Sequence, residues 1–336
     1  MPNTAIVILN YNGAHWLRRF LPAIILYSPE CEVIVADNGS TDHSLQVLCA
    51  EFPAVRVIKL PMNYGFCGGY NRALAQIDAE YYLILNSDIE VTEGWTDPLI
   101  QFLEKNPHVA AIQPKIKSYH VREMFEHAGA AGGMLDTLGY PFCRGRLLLS
   151  LEKDEGQYDD EAPVFWATGA CFLIRSTLFH DMGGFDEDFF AHMEEIDLCW
   201  RLQNHGYQVY YTSKSEVYHV GGGTLNAANP RKTYLNFRNG LALMIKNMSV
   251  AALIVKLPIR LILDGLAAII FLVQGNYKHT IAVFRAHMHF YASLRKHWKK
   301  RKYAGEKGCS LKGMYPGSIL YRYFVTGVRK TSSLTY

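Results

Sequence analysis

Acidic residues almost vanish from the last third of this 336-residue chain. Beyond residue 225 only Asp264 and Glu306 stand against 19 Lys and Arg. Other absences narrow the function. The seven cysteines (31, 49, 67, 143, 171, 199, 309) show no CxxC or other metal-ligand spacing. Their odd number argues against a disulfide framework, so a reducing, cytosolic setting is expected. The opening MPNTAIVILNYNG has neither a basic n-region nor a long apolar h-region, and export is not expected. No GxGxxG and no GxxxxGK[ST] occurs, which excludes the common dehydrogenase and P-loop ATPase readings. Within the basic region the longest uncharged run, Gly265–Tyr277, falls short of the ~20 residues needed to span a bilayer.

What is present describes a folding chain with ample core: 49% hydrophobic and 19% charged residues. Charge divides it into two regions. Residues 1–225 carry 15 Lys and Arg against 29 Asp and Glu, a net −14, whereas residues 226–336 carry a net +17. Two regions with different partners are expected. In the first, Ala5–Asn10, Glu32–Asp37 and Tyr81–Asn86 are continuous apolar runs suited to doubly covered parallel strands, with Val55–Lys59 a weaker case. Helical patterns lie between them near 14–27, 42–52 and 66–77, the second with Asp42 or Ser40 as N-cap. This alternation predicts an α/β fold with a central, mostly parallel sheet and right-handed crossovers. Residues 115–165 read as loop-rich. A strand over 170–175, helices over 176–182 and 193–205, and strands over 207–212 and 215–220 follow.

The second region reads as helical. Within 250–275 Lys256, Arg260 and Asp264 recur every fourth residue on one stripe, with apolar residues elsewhere. The cluster Arg295-Lys296…Lys299-Lys300-Arg301-Lys302 lies among Phe284, Phe290, Tyr291 and Trp298. Apolar amphipathic surface beside a polybasic, aromatic-rich segment predicts a peripheral membrane anchor. The plainer reading is a helical cap on the first domain. No nucleic-acid motif accompanies the charge, so nucleic acid is not an expected partner.

Four spots in the first region carry the chemistry. Asp37 ends a strand and opens DNGSTD; its carboxylate can accept the imide N–H of uracil or thymine, or serve only as a turn and cap. Asn86-Ser87-Asp88 follows YYLIL; Asp88 is the natural ligand for a hard cation bridging phosphates, with Asn86 in support. Glu194, Glu195 and Asp197 open a helix, and three acids in one turn exceed what the helix dipole asks for. One of them is expected to act as general base, which must be ionised to take a proton. His219, before Gly221-Gly222-Gly223, is a fair ligand for Mn2+ and less so for Mg2+, or else a satisfied core residue.

The ordered motifs VILNYNG (7–13), VIVADNGSTD (33–42), NYGFCGGYNRAL (63–74), LILNSDI (83–89), ATGACFLIR (167–175), GGFDEDFFAHMEEIDLCWRL (183–202) and VYHVGGG (217–223) resemble inverting family-2 glycosyltransferases. The resemblance covers about residues 4–240 and is closest to the rhamnosyltransferase-like branch. It implies a GT-A, Rossmann-like nucleotide-sugar-binding domain with a basic helical region appended. The implied ligands are a nucleotide-diphosphate sugar, Mg2+ or Mn2+, and a glycan or lipid-linked glycan acceptor. The implied donor-side residues are Tyr11 near the nucleobase, Asp37 on the base, and Asn63, Gly65, Asn71 and Asn86. Asp88 and His219 are the implied metal contacts, Glu195 the base with Glu194 and Asp197 as competitors, and Asp186 and Trp166 acceptor contacts. His127, Arg144 and Arg146 are expected to shape the acceptor side.

Two positions depart from the family pattern. Asn86 replaces the first acid of its DxD, and Glu195 is longer than the commoner Asp. The QxxRW of processive members is absent, so one sugar per encounter is expected. The expected setting is the cytoplasmic face of a bacterial inner membrane. The rivals are a sugar-phosphate nucleotidyltransferase, whose Gly-rich phosphate loop NYNGAHW does not match, and a catalytically silent nucleotide-sugar-binding scaffold, which Asn86 favours.

Overall fold

A computed structural model describes residues 3–221, 229–301 and 311–334; Gly222, Gly223, Lys302, Glu306 and Cys309 lie outside the described residues. The strands of the first region are β1 (Thr4–Asn10), β2 (Glu32–Asp37), β3 (Arg56–Lys59), β4 (Tyr81–Asn86), β5 (Ile89–Val91), β6 (Val109–Ser118), β7 (Gly133–Asp136), β8 (Pro141–Cys143), β9 (Arg146–Leu147), β10 (Ser150–Leu151), β11 (Glu161–Val164), β12 (Cys171–Arg175) and β13 (Gln208–His219). A last short strand, β14 (Met314–Tyr315), comes from the basic region. The helices are α1 (Ala14–Leu26), α2 (Ser44–Glu51), α3 (Gly65–Leu74), α4 (Asp97–Lys105), α5 (Ser176–Asp181), α6 (Glu194–Asn204), α7 (Pro230–Asn247), α8 (Val250–Val273) and α9 (Tyr277–Lys299).

The main sheet runs β11-β13-β6-β12-β4-β1-β2-β3, with β5 beside β13. β3, β2, β1 and β4 are mutually parallel; β12 runs against both β4 and β6, and β13 is parallel to β6. The apolar runs read as doubly covered strands are covered in that way. Ile6, Ile8 and Val35 pack with Leu17, Phe20 and Val47 of α1 and α2, while Ala5, Val7, Ile34 and Ala36 pack with Cys67 and Tyr70 of α3. Successive side chains of a strand point to opposite faces, so every residue of such a run must be apolar.

Several expectations are corrected. The N-cap position of α2 is His43; Asp42 instead accepts from the Ser44 amide, 3.0 Å, and from that of Ala14, 3.1 Å. The two strands expected over 207–220 are one strand, β13, broken in register between Thr212 and Glu216. The stretch read as loop-rich begins with β6, a ten-residue strand in which Pro114 and two lysines obscure the pattern, and continues as a second sheet, β10-β9-β8-β7-β14. Strands of two to four residues are too short to show periodicity.

The basic region is not set apart from the first. β14 pairs with β7. The buried Glu152 carboxylate accepts from Thr331 N at 2.8 Å and Ser332 Oγ at 2.7 Å. Lys246 of α7 donates to Asp186 at 2.6 Å and Asp197 at 2.8 Å, and Lys300 reaches Asp186 and Asp188, each at 2.6 Å. Lys246 and, from the positive cluster, Lys296 and Lys300 thus answer acids of residues 1–225.

Helix α8 is inside out. Its charged stripe faces the protein: Arg260 is buried, bonded to Asp264 at 2.9 Å and stacked 3.8 Å over the Tyr140 ring. The outward face, with Ile254, Val255, Ile259, Ile262, Leu266, Ile269, Ile270 and Val273, is exposed and carries no charge. No described helix is long and apolar enough to cross a membrane.

Removing one partner of a buried ion pair leaves an uncompensated charge. Lys246→Met should therefore lose about 3–5 kcal/mol of stability in urea unfolding; a loss within the range of ordinary surface substitutions would show that Asp186 and Asp197 do not depend on it.

Candidate active site

Three polar residues end adjacent parallel strands. Asn10 of β1 is in register with Asp37 of β2, and Leu9 with Asn86 of β4. Carboxyl ends of parallel strands are where open α/β sheets bind ligands. The antiparallel β12 starts at this same edge, because Leu85 pairs with Cys171 and the Asn86 amide bonds to Ala170 O at 2.9 Å.

The nucleotide-side residues fall into two groups. Tyr11 is 46% exposed and open to a ligand, whereas Asp37 is 1% exposed and its oxygens accept from Asn10 Nδ2 at 3.1 Å and Ser40 N at 3.0 Å. Asp37 thus fixes the DNGS turn, and the open acceptor beside it is Asn10 Oδ1, buried without a partner. Asn63 accepts from Asn38 Nδ2 and from Gly65 N. Gly65 has φ +72°, and a Cβ there would meet the Phe190 ring at 2.8 Å, so the close approach of α3 to the Phe190 loop requires glycine. Asn71 spends its amide on Phe185, donating to its O at 2.8 Å and accepting from its N at 2.9 Å. Asn63, Gly65 and Asn71 therefore shape the cleft wall.

Asp88 and His219 do come together. The Val220 amide donates to Asp88 O at 3.1 Å, and His219 Nε2 lies 3.2 Å from Asp88 Oδ1 and 3.5 Å from Asn86 Nδ2. Glu126, which sequence reasoning missed, closes the other side, its Oε2 3.4 Å from His219 Nδ1. Burial opposes the charged imidazole, but hydrogen bonds and the charges of Asp88 and Glu126 outweigh it and raise His219 to about 10. With Nδ1 turned to Glu126, Nε2 and Asp88 form two acceptors that need a proton or a cation between them. Carboxylate-backed histidine is a common metal-ligand arrangement. Among the described residues no group of three or more His, Cys, Asp and Glu forms a metal cage. One carboxylate and one imidazole are ligand types that suit Mg2+ or Mn2+ if phosphate and water supply the remaining positions.

The three acids of α6 separate completely. Asp197 is fully buried and held by Arg201 at 2.9 Å, Lys246 at 2.8 Å and Asn247 at 2.8 Å, so it is an anchor and not a free base. Glu194 is buried, and desolvation with the neighbouring Glu195 charge pushes its carboxyl well up. Glu195 is half-buried; desolvation raises it to about 7, opposed by the backbone amides of Glu195, Ile196 and Gly169. Gly169 precedes the Ala170 carbonyl that binds Asn86, which brings Glu195 to the edge that holds Asp88. Both Glu194 Oε2 and Glu195 Oε2 are buried without a hydrogen-bond partner. Entry to α6 runs through left-handed Phe190, His192 and Met193, at φ 64°, 69° and 74°. Asn239 of α7 holds this turn by donating to Phe189 O, Ala191 O and His192 O.

The two expected acceptor contacts are not presented to a ligand. Both Asp186 oxygens are taken by Lys246 and Lys300, and these cations hold its carboxyl far below the usual range although burial alone would raise it. Trp166 is 4% exposed, with its N–H bonded to Met134 O. Arg144 pairs with Asp160 beside Tyr158 and Tyr211, whereas Arg146 and His127 stay together, 3.5 Å apart.

The mixed α/β sheet, with acids and a histidine at its ligand edge, has the GT-A fold. Residues 5–183 match the family model described as glycosyl transferase family 2, and the chain belongs to that family. It is 31% identical over 230 residues to the N-acetylglucosaminyl-diphospho-decaprenol L-rhamnosyltransferase of Mycobacterium tuberculosis, covering 64% of this chain and 75% of that one. It is 24% identical over 244 residues to the low-salt glycan biosynthesis hexosyltransferase Agl10 of Haloferax volcanii, covering 71% and 74%. Two solved structures share the fold. GalNAc-T7 with UDP, GalNAc and Mn2+ gives a TM-score of 0.57 at 14% identity, covering 74% of this chain and 48% of that one, so this chain spans about half its length. The mannosyltransferase PcManGT from Pyrobaculum calidifontis, in complex with GDP-Man and Mn2+, gives 0.52 at 15% identity, covering 90% and 84%.

A raised carboxyl binds, in the folded state, a proton that the unfolded chain has already released. The Glu195 contribution to stability is thus present below its unfolded value and lost as pH rises through about 7. Glu195→Gln should gain stability relative to the parent by ~2 kcal/mol between pH 5 and pH 8 in urea unfolding. A difference that does not vary with pH would contradict the raised carboxyl.

Proposed function

We propose that the protein is an inverting hexosyltransferase that moves one sugar from a nucleotide-diphosphate donor to a glycan hydroxyl. The observation that carries this reading is the pair of carboxylates opening α6, each with a buried, unpartnered oxygen, at the same sheet edge as Asp88 and His219. Glu194 and Glu195 cannot both be charged at close range in a dry site. Glu194, the more buried, keeps its proton; Glu195, half-buried and raised to about 7, is ionised at mildly alkaline pH and takes the proton of the acceptor hydroxyl. The acceptor oxygen attacks the anomeric carbon as the bond from that carbon to the diphosphate oxygen breaks. No side chain becomes bonded to the sugar, so the configuration inverts. Mg2+ or Mn2+, when bound by Asp88 and His219, would neutralise charge on the departing nucleoside diphosphate. Asn86 leaves that site with one carboxylate, which suits a cation held largely by the donor.

The rhamnosyltransferase relative and the family motifs support a dTDP-rhamnose donor, with a UDP-sugar as the alternative. The same relative acts on a diphospho-lipid, which supports a lipid-linked acceptor here, in bacterial cell-surface polysaccharide synthesis. The inside-out α8 supports peripheral attachment to the cytoplasmic face of the inner membrane. Its outward face offers only apolar side chains, and exposed Lys278, Arg285, Arg295 and Lys299 of α9, with Tyr277, Tyr291 and Trp298, suit an anionic interface.

Glu195→Gln should lower the transfer rate by ~100- to 10,000-fold while leaving nucleotide affinity within about twofold, read by single-turnover kinetics and calorimetry. Comparable loss of both would reject Glu195 as the base. Ile262→Glu with Leu266→Glu changes only exposed positions. Sedimentation with phosphatidylglycerol vesicles should show binding at least ~10-fold weaker for this variant, from the apolar area lost to lipid. Equal binding by parent and variant would remove α8 from the membrane contact.

A further inference from the structure

Beside the Asp88–His219 pair lie two cations, Arg146 and Lys232, and two imidazoles, His127 and His192, that the transfer chemistry leaves unused. Arg146 Nη1 is 3.5 Å from His127 Nε2, and Arg146 Nε is buried without a hydrogen-bond partner. Lys232, in the first turn of α7, is close enough to Arg146, His127 and His192 for its charge to act on all three. His192 Nε2 is likewise buried and unpartnered. Among the described residues neither Arg146 nor Lys232 forms an ion pair. The carboxylate facing them, Glu126, is already engaged by the Ala128 amide and by His219. Incomplete solvation, together with mutual repulsion among these groups, pulls His127 and His192 down to about 4 and lowers Lys232. Two cations with two hydrogen-bonding imidazoles, faced by a carboxylate already engaged elsewhere, offer an anion site.

We propose that Arg146, Lys232, His127 and His192 form a second phosphate site, separate from the cation-held donor diphosphate, that grips the phosphate or diphosphate carried by the acceptor. The proposal rests on the glycosyl-transfer reading, because it assigns the donor diphosphate to Asp88 and His219. Glu126 stands between the two sites, turned to His219 on one side and within reach of Lys232 on the other, so the two anions would lie side by side without merging. The turn that carries His192 leads directly into Glu194 and Glu195. An acceptor held by its phosphate at this place therefore has its sugar hydroxyls near the base. The same chemistry, a diphosphate, is present on both substrates, and what separates the two sites is dependence on a divalent cation.

Calorimetric titration with inorganic pyrophosphate in the presence of chelator distinguishes them. The parent protein should bind without metal. Lys232→Gln and Arg146→Gln should each weaken binding by ~10-fold or more, as expected for a charge-assisted contact, while Asp88→Asn should keep it. Lys232 sits on a partly exposed helix turn, so its variant carries the test even where Arg146→Gln melts early. Absence of binding in chelator, loss of binding in Asp88→Asn, or parental affinity in Lys232→Gln would each overturn the second site. Titration of the parent with nucleotide sugar and Mn2+ tests the transfer reading separately, because failure there leaves the metal-free pyrophosphate result standing on its own.

Discussion

A carboxylate with no access to water must find its cations inside the protein, and Asp197 is such a carboxylate. Arg201 and Lys246 bind it, and Asn247 donates to its second oxygen. Two of these partners come from α7, so the buried charge joins α6 to the basic region that follows it. The division of the sequence into a net −14 and a net +17 is joined across the same contact. Asp186, Asp188 and Asp197 on one side meet Lys246, Lys296 and Lys300 on the other.

That attachment has consequences for the site. Non-glycine residues in the left-handed region cost of order 1 kcal/mol or more each, and such strain persists where surrounding contacts over-determine it. Phe190, His192 and Met193 are held there by Asn239 and Arg238 of α7, which bind the carbonyls of Asp188, Phe189, Ala191 and His192. The turn delivers Glu194 inward and Glu195 toward the cleft. Environment then separates two chemically identical side chains, one kept neutral by burial and one left able to ionise near neutral pH.

The parallel half of the fold was legible because it obeys local rules. AIVILN, EVIVAD and YYLILN are apolar throughout their interiors, as strands covered on both faces must be, and their polar last residues carry the ligand edge. Asp88 and His219 were legible as residue types competent for a hard or borderline cation, and the family resemblance paired them. Glu126 was not, because a single acid in a run of two- to four-residue strands has no periodic frame, and only tertiary pairing brings it behind His219. Asp186 and Trp166 were misread for a related reason. A carboxylate and an indole look available in a sequence, and whether their polar atoms are already satisfied depends on Lys246, Lys300 and Met134, which lie between 32 and 114 residues away. The stripe Lys256, Arg260, Asp264 is legible as a stripe, but a helical pattern does not say which face meets the protein.

The central claim is a single displacement in which Glu195 deprotonates the acceptor and no protein group takes the sugar. The anomeric configuration of the product, read by the one-bond carbon–proton coupling at the transferred sugar and compared with that of the donor, tests this most directly. The account predicts inversion; a product that retains the donor's configuration would contradict it.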